Sequence, residues 1–386
     1  MPTQVRIVVP LGISQIVAWA SSFYLPAILA DAIARDLGLT ANWIFGAFSA
    51  ALVISGLLGP RIGRQIDLFG GRMVLAASNI FLAAGLVVLA FSTNIPMLLF
   101  AWALLGVGMG LGLYDAAFGA LGRIFGVAAR SSITGVALFA GFASTLGWPL
   151  TSYGLATIGW RETCLLWALV NILIGLPLNL IFIPGTSRHR EIARPTEKPH
   201  IAIDRTMMLI AFAFSAALAT ASAMATHFPR LMEIAGATPT QAVFASMMIG
   251  PAQVVARIVE AAYLSRYHPL VSTRLACVAH PLGAALLGVF GTPVALVFAM
   301  LHGVGTGIYT IARGAVPLAI FGADNYAYRL GVIGAPSRLT QAISPLIFGV
   351  LIDKMGLGAL YVSVALSFAA FGALCLVQTE PPQPAK

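Results

Sequence analysis

The chain has 386 residues, of which 59% are hydrophobic and 9% charged, with a net charge of +9 and a mean hydropathy of +0.92. A soluble domain carries about 25% charged residues, so the polar groups needed to cover a water-facing surface are missing and a cytosolic enzyme is excluded. At roughly 20 apolar residues per crossing, the chain has room for about a dozen bilayer spans. Cys164, Cys277 and Cys375 stand in apolar stretches without CxxC or Cys/His spacing, so neither a disulfide framework nor a metal site is indicated. No GxxxxGK(S/T) loop and no catalytic constellation occurs, which argues against ATP-driven pumping, enzymatic chemistry and a bound cofactor.

Apolar runs bounded by charge or by Gly/Pro clusters predict twelve helices, over 7–30, 42–60, 73–92, 96–120, 131–158, 163–184, 206–228, 239–264, 270–290, 293–320, 328–351 and 358–377. The first runs on through Trp19, Phe23, Tyr24 and Pro26 without a short apolar core ending at a cleavage site, and is read as retained. With the amino terminus in the cytoplasm, fifteen basic residues, among them Arg61, Arg64, Arg72, Arg123 and Arg130, fall on the cytoplasmic side. Four fall on the other: Arg35, Arg161, Arg230 and Lys354. The positive-inside rule therefore places both termini in the cytoplasm, and the expected location is a bacterial cytoplasmic (inner) membrane. The net positive charge is a topological signal and does not point to nucleic acid. The polar, Pro-rich stretch 186–205 is read as a cytoplasmic linker between an N-terminal six-helix bundle, 1–185, and a C-terminal one, 206–386.

The halves match at a nearly constant offset. At 196 residues Arg61-Ile62 meets Arg257-Ile258, Gly135-Val136 meets Gly331-Val332, and Pro149-Leu150 meets Pro345-Leu346; at 195, Tyr114 meets Tyr309 and Gly119 meets Gly314. Matched spans keep the same orientation, so the expectation is an all-α polytopic membrane protein of twelve transmembrane helices. Its two six-helix bundles would be related by a pseudo-two-fold along the membrane normal.

Between the second and third spans the chain reads Gly63-Arg-Gln-Ile-Asp67-Leu-Phe-Gly70-Gly71-Arg72. This segment resembles the cytoplasmic signature of the major facilitator superfamily, GxxxD(R/K)xG(R/K)(R/K), departing from it at Leu68 and Gly71. The glycines permit a tight turn and close approach, and an Asp beside a helix N-terminus is favoured by its partial positive charge. The resemblance implies a conformational latch of Gly63, Asp67, Gly70 and Arg72. The fifth span, with Gly141, Gly147, Pro149 and Gly154, is similar to the family's glycine- and proline-rich fifth helix. Simple packing through small residues explains those positions equally well.

Substrate has to be read from intramembrane polar groups, each costing roughly 2.5–3.5 kcal/mol at a helix centre. Asp115, Arg257, Glu260, Arg313 and Arg338 fall inside predicted spans. Arg338 lies about ten residues from either end of its span, too deep to snorkel, and Gln341 extends its polar face. Arg257 follows Gln253 by one turn and precedes Glu260 by three residues, so a local ion pair competes with substrate contact. Glu260 is expected near a hydrated helix end, and Arg313, one to two turns from the cytoplasmic end of its span, is expected to snorkel, to meet a loop acid or to contact substrate.

A guanidinium stays charged and holds a carboxylate in a bidentate fork. The Gln253–Arg257 segment resembles the eighth span of monocarboxylate transporters, and the pairing of Arg257 with Arg338 resembles oxalate/formate-type antiporters. Gln253 stands where monocarboxylate carriers have a proton-linked Asp. The substrate-binding set is therefore Arg338, Arg257, Gln253, Gln341, Tyr309 and Tyr114, with Asp115 and His302 as candidates for coupling. A lone helix histidine such as His302 is more often a packing residue, and His280 reads as a helper of helix geometry beside Pro281; the scattered methionines show no spacing that suits a metal.

The expected activity is secondary transport of a small organic anion, a carboxylate, by alternating access, as symport or antiport. The alternative is proton-driven efflux of lipophilic compounds with Asp115 as coupling acid; a sensor or assembly factor on a transporter scaffold is the reading from another class. Expected partners are the anionic substrate, a coupling proton and the lipid bilayer, and a monomer suffices.

Overall fold

A computed structural model describes residues 2–185 and 201–378, so most of the expected linker, 186–200, lies outside the described residues. Every predicted span coincides with helix, and no strand occurs among the described residues. The helices are α1 (Pro2–Ser21, then Pro26–Asp36), α2 (Ala41–Phe69), α3 (Gly71–Ala90), α4 (Ile95–Gly112, then Tyr114–Phe125), α5 (Arg130–Ala140, then Ala143–Thr157) and α6 (Trp160–Val170 to Leu176–Phe182 through a π turn at Asn171–Gly175). They continue as α7 (Arg205–Ile234), α8 (Pro239–Met247, Ile249–Val259 and a π turn at Glu260–Leu264), α9 (Pro269–Phe290), α10 (Ala295–Phe321), α11 (Tyr326–Met355) and α12 (Ala359–Cys375).

Among the described residues, ten apolar helical runs can cross a membrane by length and composition, and two of these, Ile95–Thr157 and Tyr326–Cys375, hold two of the twelve helices each. Helix satisfies every backbone group within its own segment, which hydrocarbon demands. Local chemistry sets the starts. Asn94 accepts from the Met97 amide at 3.0 Å, Asp204 accepts from the Met207 amide at 2.8 Å, and Thr238 with Gln241 forms a reciprocal capping box.

The chain divides into two compact units. The first holds the described residues up to 185 together with Ala323–Ala342; the second holds the described residues from 201 to Gly322 and from Ile343 onward. Inside the first, α2 packs on α4, and α3 on α4 and α6; inside the second, α8 packs on α10, and α9 on α10 and α12. The same pairing scheme thus recurs, as the sequence offset implies. It extends to individual backbone contacts. A Cβ at Gly106 of α4 would stand 2.6 Å from the Ala51 carbonyl oxygen, and a Cβ at Gly303 of α10 would stand 2.6 Å from that of Ile249. One turn on, Gly110 faces Ser55 and Gly307 faces Gln253. Small residues here let helix backbones touch, which substitutes for a hydrophobic driving force between helices in lipid. The core of the second unit is aromatic and aliphatic, built around Phe228, Leu231, Phe298 and Phe348.

Candidate functional site

The centre of the first unit is organised by a break in α4. Leu113 is extended (φ −77°, ψ −172°), and a second half-helix, Tyr114–Phe125, starts immediately after it. The Ala116 amide turns to the Leu113 carbonyl, which leaves the Gly112 carbonyl to another donor. Gln15 of α1, itself buried, donates its Nε2 to that oxygen, and Trp19 Nε1 donates to Gln15 Oε1 at 3.3 Å. A side-chain relay from α1 therefore satisfies the interrupted backbone. Neither Gln15 nor Trp19 is among the site residues that sequence reasoning selects, although a Gln in an apolar span is a polar residue of the kind that carries such signals.

Asp115 falls in the first turn of the new half-helix, where the aligned peptide dipoles favour an anion. Arg338 of α11 reaches it: Nη2 donates to Asp115 Oδ2 at 3.4 Å, and Nη1 donates to Gln341 Oε1 at 3.0 Å. The Arg338 side chain is 3% exposed and that of Asp115 23%. Both side chains contribute to the lining of one small cavity, together with Ser55, Met109, Gly110 and Gly331. A Cβ at Gly56 would come within 2.8 Å of Arg338 Cβ, so α2 presses directly on the arginine's stem. A 3.4 Å contact is long for a charge-assisted bond, which is ordinarily about 2.7–2.9 Å.

The motif residues lie at the far end of the same two helices. Asp67 Oδ1 accepts from the Ala327 amide at 3.1 Å and Oδ2 from the Tyr328 amide at 2.7 Å. The carboxylate therefore caps the first turn of α11, where amides have no partner within their own helix. Gly63 admits that turn, because a Cβ there would overlap the Ala327 carbonyl. Gly70 ends α2 at φ +83°, a left-handed conformation suited to glycine, and Arg72 opens α3 beside Gly185.

The second unit holds the remaining predicted residues. Arg257 is 3% exposed and donates to Gln253 Oε1 at 3.4 Å and to Thr310 Oγ1 at 3.2 Å. Tyr309, next to Thr310, shares a 2.6 Å hydrogen bond with Cys277 Sγ and meets Phe214 edge-on. His302 is paired through Nδ1 with His280 Nδ1 at 3.0 Å, and His280 Nε2 meets Ser363 Oγ at 2.9 Å. His280 therefore joins α9 to α10 and α12, a larger part than helix geometry. Two placements differ from the sequence reading: Glu260 is buried rather than set at a hydrated helix end, and Arg313 is buried rather than snorkelling.

Known proteins share this architecture. A sequence profile of the Major Facilitator Superfamily matches residues 11–300. The 3-(3-hydroxy-phenyl)propionate transporter of Escherichia coli (strain K12) is 24% identical over 376 residues, 93% of this chain and 90% of that protein. The crystal structure of the human organic anion transporter MFSD10 (TETRAN) superposes with a TM-score of 0.75 at 17% identity, covering 98% of this chain and 100% of the other. That of the E. coli fucose:proton symporter, FucP, does so at 0.76 and 14%, covering 98% and 100%. Twelve helices, a doubled packing scheme and an Asp67 cap on α11 agree with a profile spanning most of the chain, and the protein is a membrane transporter belonging to the Major Facilitator Superfamily.

Proposed function

We propose that the protein is a secondary transporter of a small organic anion, a carboxylate, working by alternating access with both termini in the cytoplasm of a bacterial inner membrane. The single observation that carries this reading is the Arg338–Asp115 pair: an enclosed guanidinium opposed, beside a cavity, by a less buried acid at 3.4 Å. An incoming carboxylate takes the place of Asp115 on the Arg338 fork, and the released Asp115 is the candidate coupling group. Anion and proton would then move together. Gln341 orients the guanidinium, and Arg257 with Gln253 is the second unit's candidate for anion contact. The Asp67 cap, with Gly63, Gly70 and Arg72, acts as the latch on α11. Support comes from the organic-acid relative at 24% identity and from the organic anion transporter among the structural neighbours.

The test is uptake into proteoliposomes of a panel of mono- and dicarboxylates, phosphate and lipophilic cations, by the wild-type chain and Arg338→Gln. Carboxylate uptake that disappears in Arg338→Gln upholds the reading. Uptake unaffected by Arg338→Gln, or flux of lipophilic cations alone, overturns it and favours proton-driven efflux through Asp115.

A further inference from the structure

The cavity beside Arg338 and Asp115 lies wholly within the first unit, lined by α2, α4 and the part of α11 that precedes Ile343. It measures about 20 Å³. A buried water needs roughly 10–15 Å³, so the space admits one water molecule and is too small for a carboxylate group. Its polar lining side chains are Ser55, Asp115 and Arg338.

Ser55 is the member that helix packing leaves unexplained. A serine enclosed in a helix commonly bonds back to a carbonyl one turn earlier, as Ser337 and Ser367 do here to the carbonyls of Ile333 and Ser363. Ser55 is 5% exposed, yet its hydroxyl makes no such bond among the described residues. The carbonyl one turn before it, that of Ala51, is where Gly106 of α4 packs. A hydroxyl kept from water without a partner is costly, and the cavity is where a partner for Ser55 can sit.

Charge selects the occupant. A cation in the cavity is repelled by Arg338 and an anion by Asp115, and both repulsions grow in enclosed, low-dielectric surroundings. A water accepts from the guanidinium, donates to the carboxylate and bonds to the hydroxyl, which gives it the two to four partners that buried waters have. We infer that this cavity is a binding site for one water molecule, held by Ser55 between Asp115 and Arg338. The site goes beyond the anion reading and does not depend on it. In the exchange proposed above it has a use: as an incoming carboxylate parts the pair, the water and Ser55 offer each charge a neutral partner inside an enclosed space.

The experiment is hydroxyl-radical footprinting by brief X-ray irradiation of the purified full-length chain. Radicals formed from a trapped water oxidise the nearest side chain in place, and Met109, which lines the cavity, is only 1% exposed to radicals from bulk solvent. Met224 and Met232, both 0% exposed in the apolar core of the second unit, serve as dry controls. Met109 is expected to form sulfoxide about fivefold faster than either control, or more. Ser55→Val fills the space and removes the hydroxyl, and should bring Met109 down to the rate of the controls. Gly110→Ala, whose methyl would stand 3.4 Å from Ser55 Cα, narrows the cavity from α4 and gives a second reading should Ser55→Val fold poorly. Oxidation of Met109 as slow as that of Met224 in the wild type, or a wild-type rate that persists in both variants, overturns the water site. The labelling is read with no anion present, so a failure of the anion reading leaves it unchanged.

Discussion

Helices α4 and α10 occupy equivalent places in the two units and share a glycine spacing, yet one is broken and the other is not. In α4, Gly106 and Gly110 lie on the backbone of α2; in α10, Gly303 and Gly307 lie on that of α8. Beyond these contacts α4 opens at Leu113 and presents Asp115 to Arg338, while α10 continues unbroken and presents the Thr310 hydroxyl to Arg257. The difference teaches where charge can be worked. A fresh helix start accommodates a carboxylate, and a side-chain donor such as Gln15 must satisfy the backbone that the break exposes. In the intact helix, Thr310 instead bonds back to the Thr306 carbonyl at 3.0 Å and accepts from Arg257 at 3.2 Å. We propose that substrate exchange takes place at the first arginine, with the second in a supporting part.

Substitutions can break or sharpen that contrast. The largest effect is expected from Arg338→Gln, which removes hydrogen bonds to a charged group worth about 1.5–3 kcal/mol. Anion affinity should fall by roughly 10- to 100-fold, whereas Arg257→Gln should cost about tenfold or less. Equal losses at the two sites, measured by calorimetry, would erase the asymmetry.

Gly331→Ala comes next, because its methyl would land on the Gly59 carbonyl and the Pro60 nitrogen. Overpacking of this kind costs about 1–3 kcal/mol, so the thermal midpoint of the purified protein should drop. Asp67→Ala removes the two acceptor contacts at the start of α11. A lost cap costs about 0.5–2 kcal/mol, and the loss should appear as faster amide hydrogen exchange at Ala327 and Tyr328. Smallest is His302→Phe, which removes one hydrogen bond from the His280–Ser363 chain at a cost of about 1 kcal/mol; anion affinity should stay within about twofold. A larger fall in affinity would move the coupling role toward the second unit.

Much of this architecture was legible in the residues. The twelve apolar runs, the offset repeat and the Asp67 turn are properties of short segments, and hydrophobicity or backbone chemistry fixes each one locally. Arg338 was legible for a similar reason, since a guanidinium so far from either helix end must turn inward. The break at Leu113 was not. It depends on Gln15, almost a hundred positions away, taking the Gly112 carbonyl, and a run of glycines allows a break without requiring one. The His280–His302 pair was hidden likewise, because its partners stand on different helices and near-uniform hydropathy gives little clue to which faces meet. The burial of Glu260 and of Arg313 was not legible either, because position near a helix end does not show how much of a residue the fold encloses.

The central claim is that Asp115 and the substrate carboxylate compete for Arg338. Calorimetric titration of a carboxylate in buffers of differing ionisation enthalpy reads the protons taken up per anion bound, for the wild-type chain and for Asp115→Asn. The account predicts greater proton uptake per anion in the wild type than in Asp115→Asn, with anion affinity of the variant preserved or raised. Identical proton uptake in the two proteins, or an affinity that collapses when Asp115 becomes Asn, would contradict it.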